Sequence, residues 1–253
     1  MARVIAVANQ KGGVGKTTTA VNLSACLADA GKKTLLLDID PQGNATSGIG
    51  LEKKEIKLCI YDALINEIPL KKIIVPSRIK NLDVVPATIQ LAGAEIELVT
   101  TMSREVRLRN VLAEVREKYE YIIIDCPPSL GLLTINALAA ADTVLVPIQC
   151  EYYALEGLSQ LTGTVKLVQK YLNSKLRYEG VLLTMFDART NLSVQVEEEV
   201  RRVFKSQVFS VVIPRNVRLS EAPSHGLPII LYDERSKGAE TYTQLAKEVI
   251  ANG

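Results

Sequence analysis

The run Lys11-Gly-Gly-Val-Gly-Lys-Thr-Thr18, placed directly after the apolar run Val4–Ala8, constrains this chain more than any other feature. Gly12, Gly13 and Gly15 allow backbone N–H groups to close around phosphate oxygens with no Cβ in the way. A helix starting at the end of the run adds a partial positive charge. Lys16 can reach β- and γ-phosphates, and the Thr17 hydroxyl can ligate a divalent cation, with Val14 and Thr18 completing the turn. Both flanks fit. Val4-Ile-Ala-Val-Ala8 reads as a strand covered on both faces. Leu23, Cys26, Leu27 and Ala30 share one helical face, and Gly31 is placed to end that helix. In the common pattern G-x-x-x-x-G-K-[ST] a glycine would stand at Gln10; this chain has instead a Gly-Gly pair and a second lysine, Lys11.

The rest of the chain alternates short apolar runs with helical patterns. Strands are expected at Thr34–Leu37, Leu82–Val85, Tyr121–Ile124, Thr143–Pro147, Gly180–Leu183 and Val208–Ile213. Helices are expected at Lys16–Ala30, Cys59–Ile65, Ile89–Leu98, Arg104–Tyr119, Thr134–Ala140, Ala154–Leu172, Val194–Lys205 and Ala239–Ala251. Continuously apolar strands point to parallel pairing under two helical layers. The expected fold is α/β: a doubly wound, mostly parallel sheet with helices on both faces, in a single domain over 1–253. A hydrophobic fraction of 47% with 23% charged residues supports a sizeable core. No apolar run is long enough to span a bilayer, and the chain enters a strand by Val4, so a cytoplasmic protein is expected. Cys26, Cys59, Cys126 and Cys150 form no C-x-x-C pair and read as reduced, buried thiols; the lone His225 excludes histidine-rich metal sites.

Two acidic segments follow strands. Leu35-Leu-Leu-Asp-Ile-Asp-Pro-Gln-Gly-Asn44 places Asp38 and Asp40 past the second strand, where carboxylates can orient a water or share work on a cation. The competing reading is turn capping through the Asp-Pro and Gly-Asn chemistry. Tyr121-Ile-Ile-Ile-Asp-Cys-Pro-Pro-Ser129 has the form of a strand delivering Asp125 to a cation-bound water. Ligands of such sheets sit beyond the carboxyl ends of the strands, where these motifs fall.

The lysine-bearing loop resembles the deviant Walker A motif of the ParA/MinD superfamily of ATPases, and Asp38-Ile-Asp-Pro-Gln42 its Walker A′ segment. Ile148–Gly157, Leu183–Thr190 and Ile213–Gly226 resemble the chromosome-partition branch, the short ParA or Soj proteins. The resemblance runs over essentially the whole chain. It implies ATP and Mg2+ as cofactors, and an ATP-dependent homodimer in which Lys11 of each subunit reaches the nucleotide of the other. Asp40 would orient the attacking water, Thr17 would ligate Mg2+ directly and Asp125 through water. Pro214 and Asn216 stand where the family contacts adenine, and Glu151 is a candidate contact to nucleotide across the interface. The implied partners are a second copy of the chain, nonspecific double-stranded DNA and a ParB/Spo0J-type centromere-binding protein that stimulates slow hydrolysis. A nucleoid association is implied, and no membrane.

Residues 175–218 hold eight Lys/Arg against five Asp/Glu, a mild excess that charge alone reads as a solvated face. The resemblance assigns DNA contact to Arg189 and Arg218. No helix-turn-helix extension precedes residue 1 in this sequence, so sequence-specific operator binding is not expected. Two other readings share the loop. A MinD-like membrane-associated ATPase would need a basic amphipathic C-terminal helix, whereas Ala239, Tyr242, Leu245, Ala246, Val249 and Ile250 form a packing stripe. An electron carrier of the nitrogenase iron-protein type would need cysteines placed to bridge a cluster, and Cys26 and Cys126 are not so placed.

Overall fold

Residues in strand β1 (Arg3–Val7) alternate between two cores: Val4 and Ala6 face one, Ile5 and Val7 the other. A strand apolar on both sides belongs inside a sheet covered twice. The computed structural model describes residues 2–151 and 154–252, and their side chains except those of 154–157 and 159. Seven strands form one sheet in the spatial order β3 (Val75–Pro76), β4 (Leu82–Val85), β2 (Thr34–Asp38), β5 (Tyr121–Asp125), β1, β6 (Thr143–Gln149) and β7 (Arg177–Thr184). Every neighbouring pair is parallel except the antiparallel edge pair β3–β4.

Helix α1 (Lys16–Asp29) covers one face together with residues of α2 (Asn44–Gly48), α9 (Val217–Glu221), α10 (Ile229–Tyr232) and α11 (Lys237–Ala251). The other face is packed by α3 (Ile60–Leu64), α4 (Leu91–Glu97), α5 (Arg107–Ala113), α6 (Leu132–Ala140), α7 (Ala154–Tyr171) and α8 (Asn191–Phe204). The doubly wound expectation therefore holds. Gly31 ends α1 in the left-handed region (φ 84°), with its N–H on the Ala28 carbonyl and the Lys32 N–H on that of Leu27. All four cysteines are free and buried, and the α11 stripe of Ala239, Tyr242, Leu245, Ala246 and Val249 is buried in the core.

Two expectations need correction. Val208–Ile213 is not a strand of the sheet; it meets β7 at one isolated bridge, Val181 to Val208, and a second, Phe186 to Pro214, follows just past both segments. Its apolar character comes from burial, because Phe209 is 3% exposed and its ring fills the space that a Cβ on Gly180 would take. The long helix expected at Arg104–Tyr119 is only α5, flanked by 3-10 turns at Arg104–Val106 and Arg116–Lys118. Asn136 of α6 donates to the Arg104 carbonyl and accepts the Leu108 N–H at 3.1 Å, so the helix begins afresh there.

Candidate active site

The loop between β1 and α1 is held from both sides. Asn9 Nδ2 donates to the Pro147 carbonyl (2.7 Å), and its Oδ1 accepts the Lys11 N–H (3.1 Å). The Thr184 hydroxyl donates to the Val14 carbonyl (2.9 Å). Gly13 (φ 73°) and Gly15 (φ 87°) adopt the left-handed backbone that side chains resist. Gly15 is the N-cap of α1 and no side chain caps that end, so the helix N-terminus is open to an anion. Lys16 is 6% exposed, and its Nζ donates to the Lys11 carbonyl at 3.0 Å. Burial lowers its pKa, opposed by the carboxylates of Asp125 and Asp40.

Three carboxylates gather at this end of the sheet, and two of them, Asp125 and Asp40, act on the charge of Lys16. Asp125 lies opposite Val7 of β1 and Asp38 of β2 in the sheet register, so the three strand ends form one rim. Asp125 is fully buried; burial, with Asp38 alongside, pushes its pKa well above the usual carboxylate range. The Thr17 hydroxyl favours its charged form, yet neither carboxylate oxygen has a donor in hydrogen-bonding geometry. Asp38 is also fully buried, which raises its pKa to about 6 against the bonds it accepts from Thr46 and Asp40. Asp40 follows on the loop, with Oδ1 accepting the Gln42 N–H at 2.9 Å. A buried carboxylate with no donor, beside a threonine hydroxyl and an open helix N-terminus, fits a cation that arrives with phosphate. Among the described residues no group of three His, Cys, Asp or Glu side chains forms a cage for a metal on its own.

Lys11 behaves differently from Lys16. Its Nζ lies 3.3 Å from Glu151 Oε2, with the Lys11 side chain 32% exposed. The other oxygen of Glu151 accepts from Gln149 Nε2 at the end of β6. This pairing within one chain was not legible from spacing, since 140 positions separate the partners. A Cβ built on Gly12 meets nothing within 4 Å, so its own chain does not require a glycine there.

Pro214 and Asn216 line a cavity of about 320 Å³ with Gly15, Thr18, Met185 and Arg215, beside the phosphate loop. Asn216 Oδ1 accepts the Arg218 N–H (2.8 Å) and so caps α9, leaving its amide as the group that can donate to a base. Arg189 and Arg218 come to neighbouring segments, because Phe186 and Pro214 pair just before them. Each is already matched: Arg189 with Asp187 at 2.7 Å, and Arg218 with Glu221 at 3.0 Å and Asp233 at 3.4 Å. The two-residue spacing of Asp187 and Arg189 is the signal for the first pair, whereas Asp233 stands too far along the chain from Arg218 for spacing to show it.

A family profile described as an AAA domain matches residues 2–178. The chain is 68% identical, over 253 residues and the full length of both, to the sporulation initiation inhibitor protein Soj of Bacillus subtilis. It is 61% identical to the chromosome partitioning protein ParA of Myxococcus xanthus, covering 98% of this chain and 88% of that one. The fold matches that of a cobyrinic acid a,c-diamide synthase from Mycobacterium smegmatis with bound ATP analog and magnesium. The TM-score is 0.88 at 36% identity, over 100% of this chain and 96% of that one. Full-length identity of this order, on a sheet whose rim brings the lysine loop and the acidic strand ends together, places the chain in the ParA/Soj family of chromosome-partitioning ATPases.

Proposed function

We propose that this chain is an ATP-hydrolysing switch for DNA segregation, with residues 1–253 acting as one ATPase domain. The observation that carries the reading is the division of labour between the two lysines. Lys16 is buried in its own cradle, whereas the Lys11 side chain leaves that cradle for Glu151 at the rim. A lysine directed out of its own site is suited to serve a second subunit, as a finger residue does in other nucleotide hydrolases. In this reading two subunits enclose two ATP molecules, and Lys11 gives its charge to the partner's γ-phosphate. Glu151, released from the cis pair, then faces the partner's nucleotide.

Within each site, Gly12–Thr18 hold the phosphates through backbone N–H groups and Lys16. The base lies against Pro214, with the Asn216 amide as donor. Thr17 would hold Mg2+ directly and Asp125 through water. A bound Mg2+ supplies positive charge that screens the phosphates. Asp40 orients the attacking water. Dimerisation places Arg189 and Arg218 of both subunits on one surface for DNA phosphates, and a ParB/Spo0J-type partner accelerates hydrolysis and releases the dimer. The apolar face of α11 is spent on the core, so that helix offers no free amphipathic face to a bilayer surface and a MinD-like membrane role has less support.

Size-exclusion chromatography with light scattering tests the reading. With ATP and Mg2+, Asp40→Ala is expected to accumulate as a dimer that hydrolyses slowly, because Asp40 is assigned to the water and not to binding. With ADP it is expected as a monomer. A monomeric Asp40→Ala at saturating ATP overturns the dimer model.

A further inference from the structure

Thr46 lies on α2, eight residues beyond Asp38, and is fully buried. Its hydroxyl donates to Asp38 Oδ2 at 2.7 Å and accepts the Ala87 N–H at 2.9 Å. Its own backbone N–H donates to the same oxygen at 2.8 Å. The other oxygen of Asp38 accepts the Asp40 N–H at 3.1 Å. A continuous line of bonds therefore runs from the Ala87 backbone, past the end of β4, through Thr46 and Asp38 to the backbone of Asp40. The polarity of this line is fixed. A carboxylate only accepts and an N–H only donates, so the hydroxyl must give its one proton to Asp38 and turn a lone pair to Ala87.

A second contact closes the loop against the same residue. Gly43 is left-handed (φ 59°), and a Cβ there would stand 2.7 Å from the Ala87 carbonyl oxygen. The Gly43 N–H in turn donates to the Asp40 carbonyl at 2.8 Å. The turn from Asp40 to Gly43 is thus closed by its own bond and packed against Ala87, with no room for a side chain at Gly43.

We propose that Thr46 is a positioning residue for hydrolysis: its hydroxyl, bonded at once to Asp38 and to the Ala87 backbone, fixes the loop that carries Asp40. This rests on the reading of Asp40 as the group that orients the attacking water. None of these bonds involves Gly12–Thr18, so the network acts on the water rather than on the phosphate loop; its route toward the cation is Asp38, which the Thr46 and Asp40 N–H groups still anchor when the hydroxyl is lost. Losing the hydroxyl leaves the buried Ala87 N–H without a partner and removes one of the bonds that anchor Asp38. The loop is then free to shift, and small misplacements of reacting groups are costly in rate.

The test is steady-state ATP hydrolysis with Mg2+ on Thr46→Val and Thr46→Ser, with Asp40→Ala as reference. Thr46→Val keeps the volume and loses the hydroxyl; kcat is expected to fall roughly ten- to a hundredfold. Its KM for ATP and its ATP-dependent dimer mass are expected to stay within about twofold, since an interaction made only in the transition state lowers kcat alone. Thr46→Ser keeps the hydroxyl and is expected to retain kcat within about threefold on the same ground. Wild-type kcat in Thr46→Val, equal losses in Val and Ser, or a loss carried by KM overturns the proposal. Undiminished hydrolysis by Asp40→Ala overturns the reading beneath it. Should Thr46→Val not fold, Thr46→Ala against Thr46→Ser makes the same comparison, because both lack the methyl and only Ser keeps the hydroxyl.

Discussion

Lys16 reaches its seat at a cost, since burial disfavours its charge and the carboxylates of Asp125 and Asp40 offset only part of that penalty. Its Nζ donates to the Lys11 carbonyl, a bond that phosphate oxygens would replace with a stronger, charge-assisted one. Lys16→Ala is therefore expected to weaken ATP binding roughly ten- to a hundredfold, read by titration with a fluorescent ATP analogue. Affinity equal to wild type would remove Lys16 from the phosphate site. At this scale the sequence was most readable where function is local. Gly13, Gly15 and Lys16 are dictated by a backbone shape confined to a few residues, and Asp125 by the strand that ends on it. Lys11 was legible as a lysine and not as a partner of Glu151, because pairs made by strand order leave no mark on spacing. Thr46 was silent for a related reason: Asp38 is only eight residues away, but Ala87 is brought to it by the pairing of β2 with β4.

Helix α1 carries the phosphate seat at its N-terminus, so its docking matters as much as its sequence. It packs against α11, where Thr19 Oγ1 and Tyr242 OH lie 3.2 Å apart in a buried hydrogen bond. Tyr242→Phe is expected to destabilise the chain by about 1–2 kcal/mol, read from the urea midpoint, because the Thr19 hydroxyl loses a buried partner. No change in midpoint would mean that the bond is not made in solution. The loop after β7 carries Arg189 and the first turn of α9 carries Arg218, the proposed DNA arginines, each paired with acids. In the proposed function, DNA binding would be an exchange of carboxylate for phosphate at these two arginines. In the ATP-bound dimer, Arg189→Glu or Arg218→Glu is expected to abolish binding to DNA of any sequence. Each arginine should contribute about two units of salt slope per dimer. Asp187→Asn, which frees Arg189, is expected to act in the opposite direction. Gel-shift titrations at several salt concentrations decide it: unchanged affinity in both arginine variants, with dimers confirmed, moves the DNA surface elsewhere. Long elements such as α11 were readable from periodicity. The two-residue β3 and the five-residue α2 and α9 were not, since none of them is long enough to repeat a hydrophobic period twice.

Across the whole molecule, the alternation of β1 between two cores makes the sheet a wall with a helical layer on each side. The ends of β1, β2 and β5 can open only toward the rim where the motifs collect. That global placement was legible, because continuously apolar runs alternating with helices leave few other topologies. One property of the rim bears on the stability of the entire chain. Asp125 is enclosed with neither oxygen satisfied, and a native state that encloses such a group is easier to melt than one that does not. Any species that satisfies the carboxylate in the folded chain alone raises the melting temperature by mass action. Mg2+ with nucleotide is thus expected to raise it more than nucleotide with a chelator, in scanning calorimetry. Asp125→Asn is expected to melt higher than wild type when empty and to gain less from Mg2+. Equal gains in the two proteins would place the cation away from Asp125. Empty and loaded chains then differ in lifetime as well as in activity: heat and proteases remove the idle molecules first, and the pool that survives is enriched in those holding nucleotide.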